Sequence, residues 1–382
     1  MQDFVSKEAI PQGYTLISSA VANWAGLDKL SVQFTDDPHA TGANLYRNGR
    51  NQVGVTVELR AVDRSGDWIM PDADLTQQIF NSLYLVDWSS LAALNWKSSQ
   101  SNNWIYTDAR NDFLTTPSSG SGAYVLTQHR SRYTIGDDGT ISYQFYVMCP
   151  YNESLTSIGI AAQVRNVPDG YGGRQNIDCA GKTSGIARST VTLRAAEPRN
   201  FSSSELAYVQ TRIIVDGDAP SNHKNSKNWL FEYQWTTPPD FPIHSVDWAS
   251  GENWSANTYF QCGNPKKGYL WMAGGRIHRP SNQYGDYNGN TMGYLMSCYL
   301  YSGEVDRPFT VSTPNNAIKL TRFITGNYSY IDGDASNFNR TEAHSVKVTD
   351  IYGTVRWLIF QAFTTADESN RPPITSYVDR SA

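Results

Sequence analysis

The chain is poor in the residues that usually announce a function. Its 382 residues include only 4 cysteines, Cys149, Cys179, Cys262 and Cys298, spaced 30, 83 and 36 apart. With no C-x-x-C pair among them, zinc ligation by neighbouring thiolates is disfavoured. Isolated buried thiols are the expectation; in an oxidising compartment the alternative is one disulfide within each half, 149–179 and 262–298. Charge is scarce as well, at 18% of residues with a net of −5, and no basic run exceeds Lys266-Lys267. Neutralising a phosphate backbone needs clustered Lys and Arg, so nucleic acid is not an expected partner. No stretch approaches the roughly 20 apolar residues that span a bilayer, so no membrane span is expected. The first 30 residues also lack a charged-then-apolar leader. The expectation is a chain made in the cytoplasm without a recognisable signal peptide, acting in a particle or outside the producing cell.

Catalytic signatures are missing too. There is no G-x-S-x-G elbow, no G-x-x-x-x-G-K-[ST] phosphate loop, no H-E-x-x-H and no G-x-G-x-x-G. The six histidines (39, 129, 223, 244, 278 and 344) are dispersed, and His223 and His344 read as surface residues. No cofactor is expected from these motifs.

What is present is 23 Tyr, 11 Trp and 29 Gly in a chain that is only 40% apolar. Aromatic and β-branched residues fit a pleated surface, and Gly and Asn fit its turns. Residues 53–61 alternate: Val53, Val55, Val57, Leu59 and Ala61 on one side, Gly54, Thr56, Glu58 and Arg60 on the other. That is a half-buried strand. A turn composition, Asp63 to Asp67, closes it, and 72–84 follows with leading acids and helical apolar spacing. Residues 15–25 are the other helix candidate. Further strands are expected at 123–128, 141–148, 158–164, 190–195, 207–215, 229–235, 268–273, 292–301, 345–349 and 354–363. The polar connection 196–204 separates a domain at 1–200 from an aromatic-rich one at 205–382. The fold class is therefore all-β: two sandwich or barrel-like domains with one or two short helices.

Two stretches invite a metal reading, Asp216-Gly-Asp218-Ala and Asp332-Gly-Asp334-Ala. Alternating carboxylates could hold calcium, but an EF-hand needs Gly at position 6 and Glu at 12, and position 12 here is Lys227 or Ala343. A strand-end turn, with Asp capping backbone N–H groups and Gly at positive φ, is the expectation for both. Two further echoes suggest duplication. Val86-Asp87-Trp88-Ser89-Ser90 resembles Val246-Asp247-Trp248-Ala249-Ser250, and Asp137 to Tyr143 resembles Asp350 to Trp357.

Aromatic residues for binding are the remaining signal, because sugar faces stack on Trp and Tyr while Asn and Asp bond hydroxyls. The candidates are Trp96 and Trp104 in the first half and Trp248, Trp254, Tyr284, Asp286, Tyr287 and Asn288 in the second. The loop 282–294 is too rich in Gly and Asn for an interior strand and is expected to be exposed. Residues 229–235 put Trp229, Phe231, Tyr233 and Trp235 on one strand face and Glu232 on the other. Glu232 with Asp247 or Glu252 is the glycosidase possibility, which needs two carboxylates several ångströms apart. The sequence thus points to a non-enzymatic structural or binding protein whose partners are itself, other assembly subunits, glycans or a cell surface. The alternatives are a soluble glycan-binding or toxin-like protein and a glycoside hydrolase.

Overall fold

The structure, a computed structural model, describes residues 19–97, 103–115, 133–214, 228–248, 259–266, 269–278, 290–294, 308–312, 317–325, 344–360 and 374–378. Side chains are described for 19–97, 103–115, 133–211, 233–245, 317–318 and 347–359. The chain divides into two units, Met1–Pro198 and Arg199–Ala382. It is all-β, with two short α-helices among the described residues.

The first unit runs α1 (Ser19–Asn23), β1 (Gly26–Phe34), β2 (Gly42–Tyr46), β3 (Val53–Val62), α2 (Ala73–Ser82), β4 (Leu83–Asp87), β5 (Asn95–Trp96) and β6 (Ile105–Thr107). It continues with β7 (Tyr133–Ile135), β8 (Ile141–Met148), β9 (Ser157–Pro168), β10 (Arg174–Asp178) and β11 (Val191–Ala196). One sheet is ordered β1-β3-β8-β6-β5 with β7 also on β8, and the other β10-β9-β11-β2 with β4 also on β9. The sheets are tied at their edges. Ser189 bonds both the amide and the carbonyl of Val32 on β1, at 2.9 Å each, and Arg47, just past β2, bridges Cys149, just past β8.

Between the sheets, every second residue of β8 is buried: Ile141, Tyr143, Phe145 and Val147. Each aliphatic side chain of this kind removes enough surface from water to stabilise by about 1.5–3 kcal/mol. The helix α2 begins on the Asp72 carboxylate, which accepts from the Leu75 amide at 2.9 Å. It buries Leu75, Ile79 and Phe80, and the Tyr143 hydroxyl donates to the Thr76 carbonyl at 2.6 Å.

Strand β3 departs from the half-buried expectation, because Val53 to Val57 are buried on both faces. The strand is central, and its outer face is covered near Gly54, where an added Cβ would lie 3.0 Å from Thr35. Only its last part faces solvent, where Lys29 pairs with Glu58 at 2.9 Å and Arg60 with Asp28 at 2.6 Å. A buried polar cluster fixes the β2–β3 connection. The Asn51 amide nitrogen donates to the Leu114 carbonyl at 2.6 Å, its oxygen accepts from Tyr46 N at 2.8 Å, and Gln52 bonds Ala109 and Asn111.

Cys149 and Cys179 are both free and fully buried, so the 149–179 disulfide alternative is overturned. Cys179 Sγ accepts from Ala162 N at 3.2 Å instead. Burial pushes the Cys149 thiol up to about 12 and the Cys179 thiol to about 11. Because the thiolate is the nucleophile, both should resist a charged disulfide reagent in the native chain and react once it is unfolded in guanidinium. Peptide-resolved mass spectrometry of labelled protein reads this out; rapid native labelling of either would contradict the packing.

The second unit contains β12 (Ala207–Ile214), β13 (Asn228–Thr236), β14 (Ile243–Trp248), β15 (Tyr259–Lys266), β16 (Tyr269–His278) and β17 (Asn290–Tyr294). Then come β18 (Pro308–Ser312), β19 (Ala317–Thr325), β20 (His344–Asp350), β21 (Val355–Phe360) and β22 (Ile374–Val378). Its sheets are β12-β13-β19-β16-β15, β14-β20-β21-β22 and the pair β17-β18. The aromatic face of β13 is interior where described: Tyr233 and Trp235 are fully buried, with Tyr208 of β12 at 6.2 and 5.6 Å from their ring centres. Part of the loop expected over 282–294 is strand, since Asn290–Tyr294 pairs with β18. A two-stranded ribbon tolerates the Gly and Asn that an interior strand would not.

The expected strand 123–128 lies outside the described residues. The duplication echoes separate on inspection. Residues 136–140 and 350–354 close the same hairpin, yet Asp87 ends a strand in the sheet opposite β8, whereas Asp247 lies on β14, paired directly with β20.

Candidate functional site

One end of the first unit gathers three hairpin tips. The first is Asp63–Asp67, just beyond β3, where Asp63 N bonds Asp67 O at 2.9 Å. The second, Gly136–Thr140, joins β7 to β8 with Gly136 N on Thr140 O at 2.8 Å. The third, Asp169–Gly173, joins β9 to β10 with Asp169 N on Gly173 O at 3.2 Å. In each, the fourth residue is a glycine at positive φ: Gly66 at 85°, Gly139 at 73° and Gly172 at 94°. Left-handed backbone there is what a five-residue hairpin closure requires, and glycine takes it without Cβ strain.

Aspartate locks these turns. Asp63 Oδ1 accepts from Ser65 N at 2.8 Å and Asp67 N at 3.0 Å, and Asp169 Oδ1 accepts from Tyr171 N and Gly173 N at 2.8 Å each. In the middle tip Asp138 bonds the Thr140 amide and hydroxyl. Those donors, with Arg60 nearby, hold its carboxyl below the usual range.

The tips touch. A Cβ on Gly139 would lie 2.9 Å from Ile69 O and 3.1 Å from the Trp68 ring, and one on Gly170 would lie 2.8 Å from the Arg64 side chain and 3.2 Å from Ala25. Arg60 spans Asp28 on β1 and Asp138 on the middle tip. On this frame four large apolar side chains face solvent: Trp68 and Met70 at 50% exposed, Ile135 at 40% and Tyr171 at 91%. A cluster of exposed apolar side chains marks an interaction surface more often than scattered single residues do.

The residues that sequence reasoning singled out do not form this site. Trp104 is buried at 2%, and Trp96 packs its ring 4.9 Å from Tyr106 and 6.2 Å from Phe145, with Lys97 over it. Trp104 belongs to the core, and Trp96 is half-buried and packed against it. Trp248 ends β14 opposite Val346, with its side chain outside the described set. Trp254, Tyr284, Asp286, Tyr287, Asn288, Asp216, Asp218, Asp332 and Asp334 lie outside the described residues. Glu232 sits on β13 between Thr211 and Thr321, while Asp247 is on a different sheet, opposite Lys347. Among the described residues no group of His, Cys, Asp and Glu is arranged to hold a metal ion. No described helix is long and apolar enough to cross a membrane.

Trp88, the other exposed tryptophan among the described residues, is held. Arg188 lies 4.6 Å over its ring, and Gly159 is compulsory beneath it because a Cβ would come within 1.8 Å. No protein-family model matches the chain, and neither does any curated protein.

Proposed function

We propose that the chain is a non-enzymatic binding component of an assembly or adhesive surface, in a particle or outside the producing cell, and that it docks through the hairpin tips of its first unit. The observation that carries this is the convergence of Trp68, Met70, Ile135 and Tyr171, all exposed, on three turns fixed by aspartate and glycine. Aromatic anchors on rigid loops, with polar groups around them, are what interfaces use for affinity.

A soluble glycan-binding role draws on the same surface, since the open Tyr171 ring suits a sugar face. The test uses the full chain and the double variant Trp68→Ser/Tyr171→Ser. Light scattering across concentration reads self-assembly, and immobilised glycan and peptide arrays read adhesion. Whatever association the wild type shows should fall by about tenfold or more in the variant, at an unchanged melting temperature. Equal association by both proteins would overturn the docking role, and turnover of a chromogenic glycoside would restore an enzyme.

A further inference from the structure

Resting on that reading of the tips, we propose that the partner is a cationic protein face, with Lys or Arg set among apolar side chains. Charge is the first argument. Asp28 and residues 60–74, 136–140 and 166–174 together hold eight aspartates and three arginines, an excess of five negative charges. That equals the net charge of the entire chain, −5, so the remainder sums to zero and the acidity is concentrated at this end. The three arginines are engaged within it: Arg60 by Asp28 and Asp138, Arg64 against Gly170, and Arg174 on the Asn166 carbonyl at 3.1 Å.

The rings supply the second argument. Elsewhere in this unit three exposed or half-buried aromatics carry a cation: Lys97 over Trp96 at 4.8 Å, Arg165 over Tyr84 at 4.3 Å and Arg188 over Trp88. Among the described residues no cation lies over Trp68 or Tyr171, although these are the more exposed rings. Open π faces beside surplus carboxylates attract ammonium and guanidinium groups by two electrostatic routes, and the apolar Met70 and Ile135 take the aliphatic stems. Two copies meeting by this same end would oppose five negative charges with five. A sugar would leave the acidity unused, and nucleic acid or an anionic bilayer would be repelled.

The experiment titrates the full chain with three capped nonapeptides, (Lys-Gly-Phe)3, (Ser-Gly-Phe)3 and (Glu-Gly-Phe)3, by calorimetry at physiological and at high salt. The lysine peptide should bind about tenfold more tightly than the serine peptide at physiological salt, with the advantage shrinking as salt rises. Neutralising two carboxylates that make no turn contact, Asp67→Asn/Asp137→Asn, should remove most of that advantage and leave the melting temperature in place. Trp68→Ser/Tyr171→Ser should abolish binding of both peptides. Equal binding of the lysine and serine peptides through Trp68 and Tyr171 would overturn the cationic partner while leaving the docking surface standing. Failure of all three peptides, or a homopolymer lost in the Trp68→Ser/Tyr171→Ser variant, would also overturn it, the latter by making a second copy the occupant.

Discussion

Replacing Phe80 by alanine is expected to destabilise the first unit by about 3–5 kcal/mol, the range for emptying a buried aromatic site. With Leu75 and Ile79, Phe80 seats α2 against the core. Its ring centre lies 6.0 Å from Trp96, 5.7 Å from Tyr143 and 6.1 Å from Phe145. Aromatic pairs of this kind add about 0.5–1.5 kcal/mol beyond the area they bury. Collapse cannot repair the loss, since α2 is held by its Asp72 cap and by the Tyr143 hydroxyl on Thr76. A domain is typically stable by only about 5–15 kcal/mol, so the variant should unfold at much lower urea. Phe80→Leu, which keeps most of the volume, should cost markedly less. Tryptophan fluorescence in urea measures both; a loss below about 1 kcal/mol for the alanine variant would mean the helix is not seated as described.

The second large effect lies in the second unit. Asp350 opens the hairpin that joins β20 to β21, accepting from Tyr352 N at 2.9 Å and Thr354 N at 2.7 Å through Oδ1. It is 1% exposed, and its Oδ2 is buried without a hydrogen bond. Burial outweighs the backbone donors and pushes the carboxyl up to about 7. Because the folded state holds the proton more tightly than the unfolded state, the associated stability is complete below about pH 4. It falls as pH rises toward 7 and is lost above it, by on the order of 3–4 kcal/mol. The nearby groups do not reproduce this window. Glu205 is held below its ordinary value by the Ser202 amide and then Arg199, so its contribution is lost only in acid. Arg356, lowered to about 10 by burial, titrates well above it. Asp350→Asn keeps the Oδ1 acceptor and removes the charge. The second unit of the wild type should melt lower at pH 8 than at pH 5, and the asparagine variant should melt alike at both. A wild-type melting temperature that rises from pH 5 to pH 8 would overturn the assignment.

Much of the fold was legible because several of its strands keep a two-residue period. Val53 to Ala61, Ile141 to Met148 and Trp229 to Trp235 all fall on strands, and Asp72 with the spacing of Leu75, Ile79 and Phe80 marked α2. Strand β1 escaped notice for a physical reason. A register shift between Leu27 and Lys29 breaks the two-residue period, so Leu27 falls out of step and only Leu30, Val32 and Phe34 alternate in the sequence. The site was hidden differently. Its turns were readable, at 63–67 and around Asp169, but its exposed side chains come one or two at a time from three segments, with 65 residues from Met70 to Ile135 and 36 from Ile135 to Tyr171. Trp68 and Tyr171 stand alone in their stretches, whereas the denser aromatic stretch around Trp96 and Trp104 is dense because it fills the core. Local composition cannot tell a platform from a core; only the β3, β8 and β9 registers bring the three tips together.

The aspartate-locked turns have a consequence for how quickly a complex formed at this end would come apart. A floppy five-residue loop gives up about 1–2 kcal/mol of backbone freedom per residue when a partner pins it down. Asp63 and Asp169, with glycines where the chain must bend back, have spent that entropy during folding. Contacts made by Trp68 and Tyr171 are therefore not discounted by loop ordering, and the gain should appear as long residence time more than as fast capture.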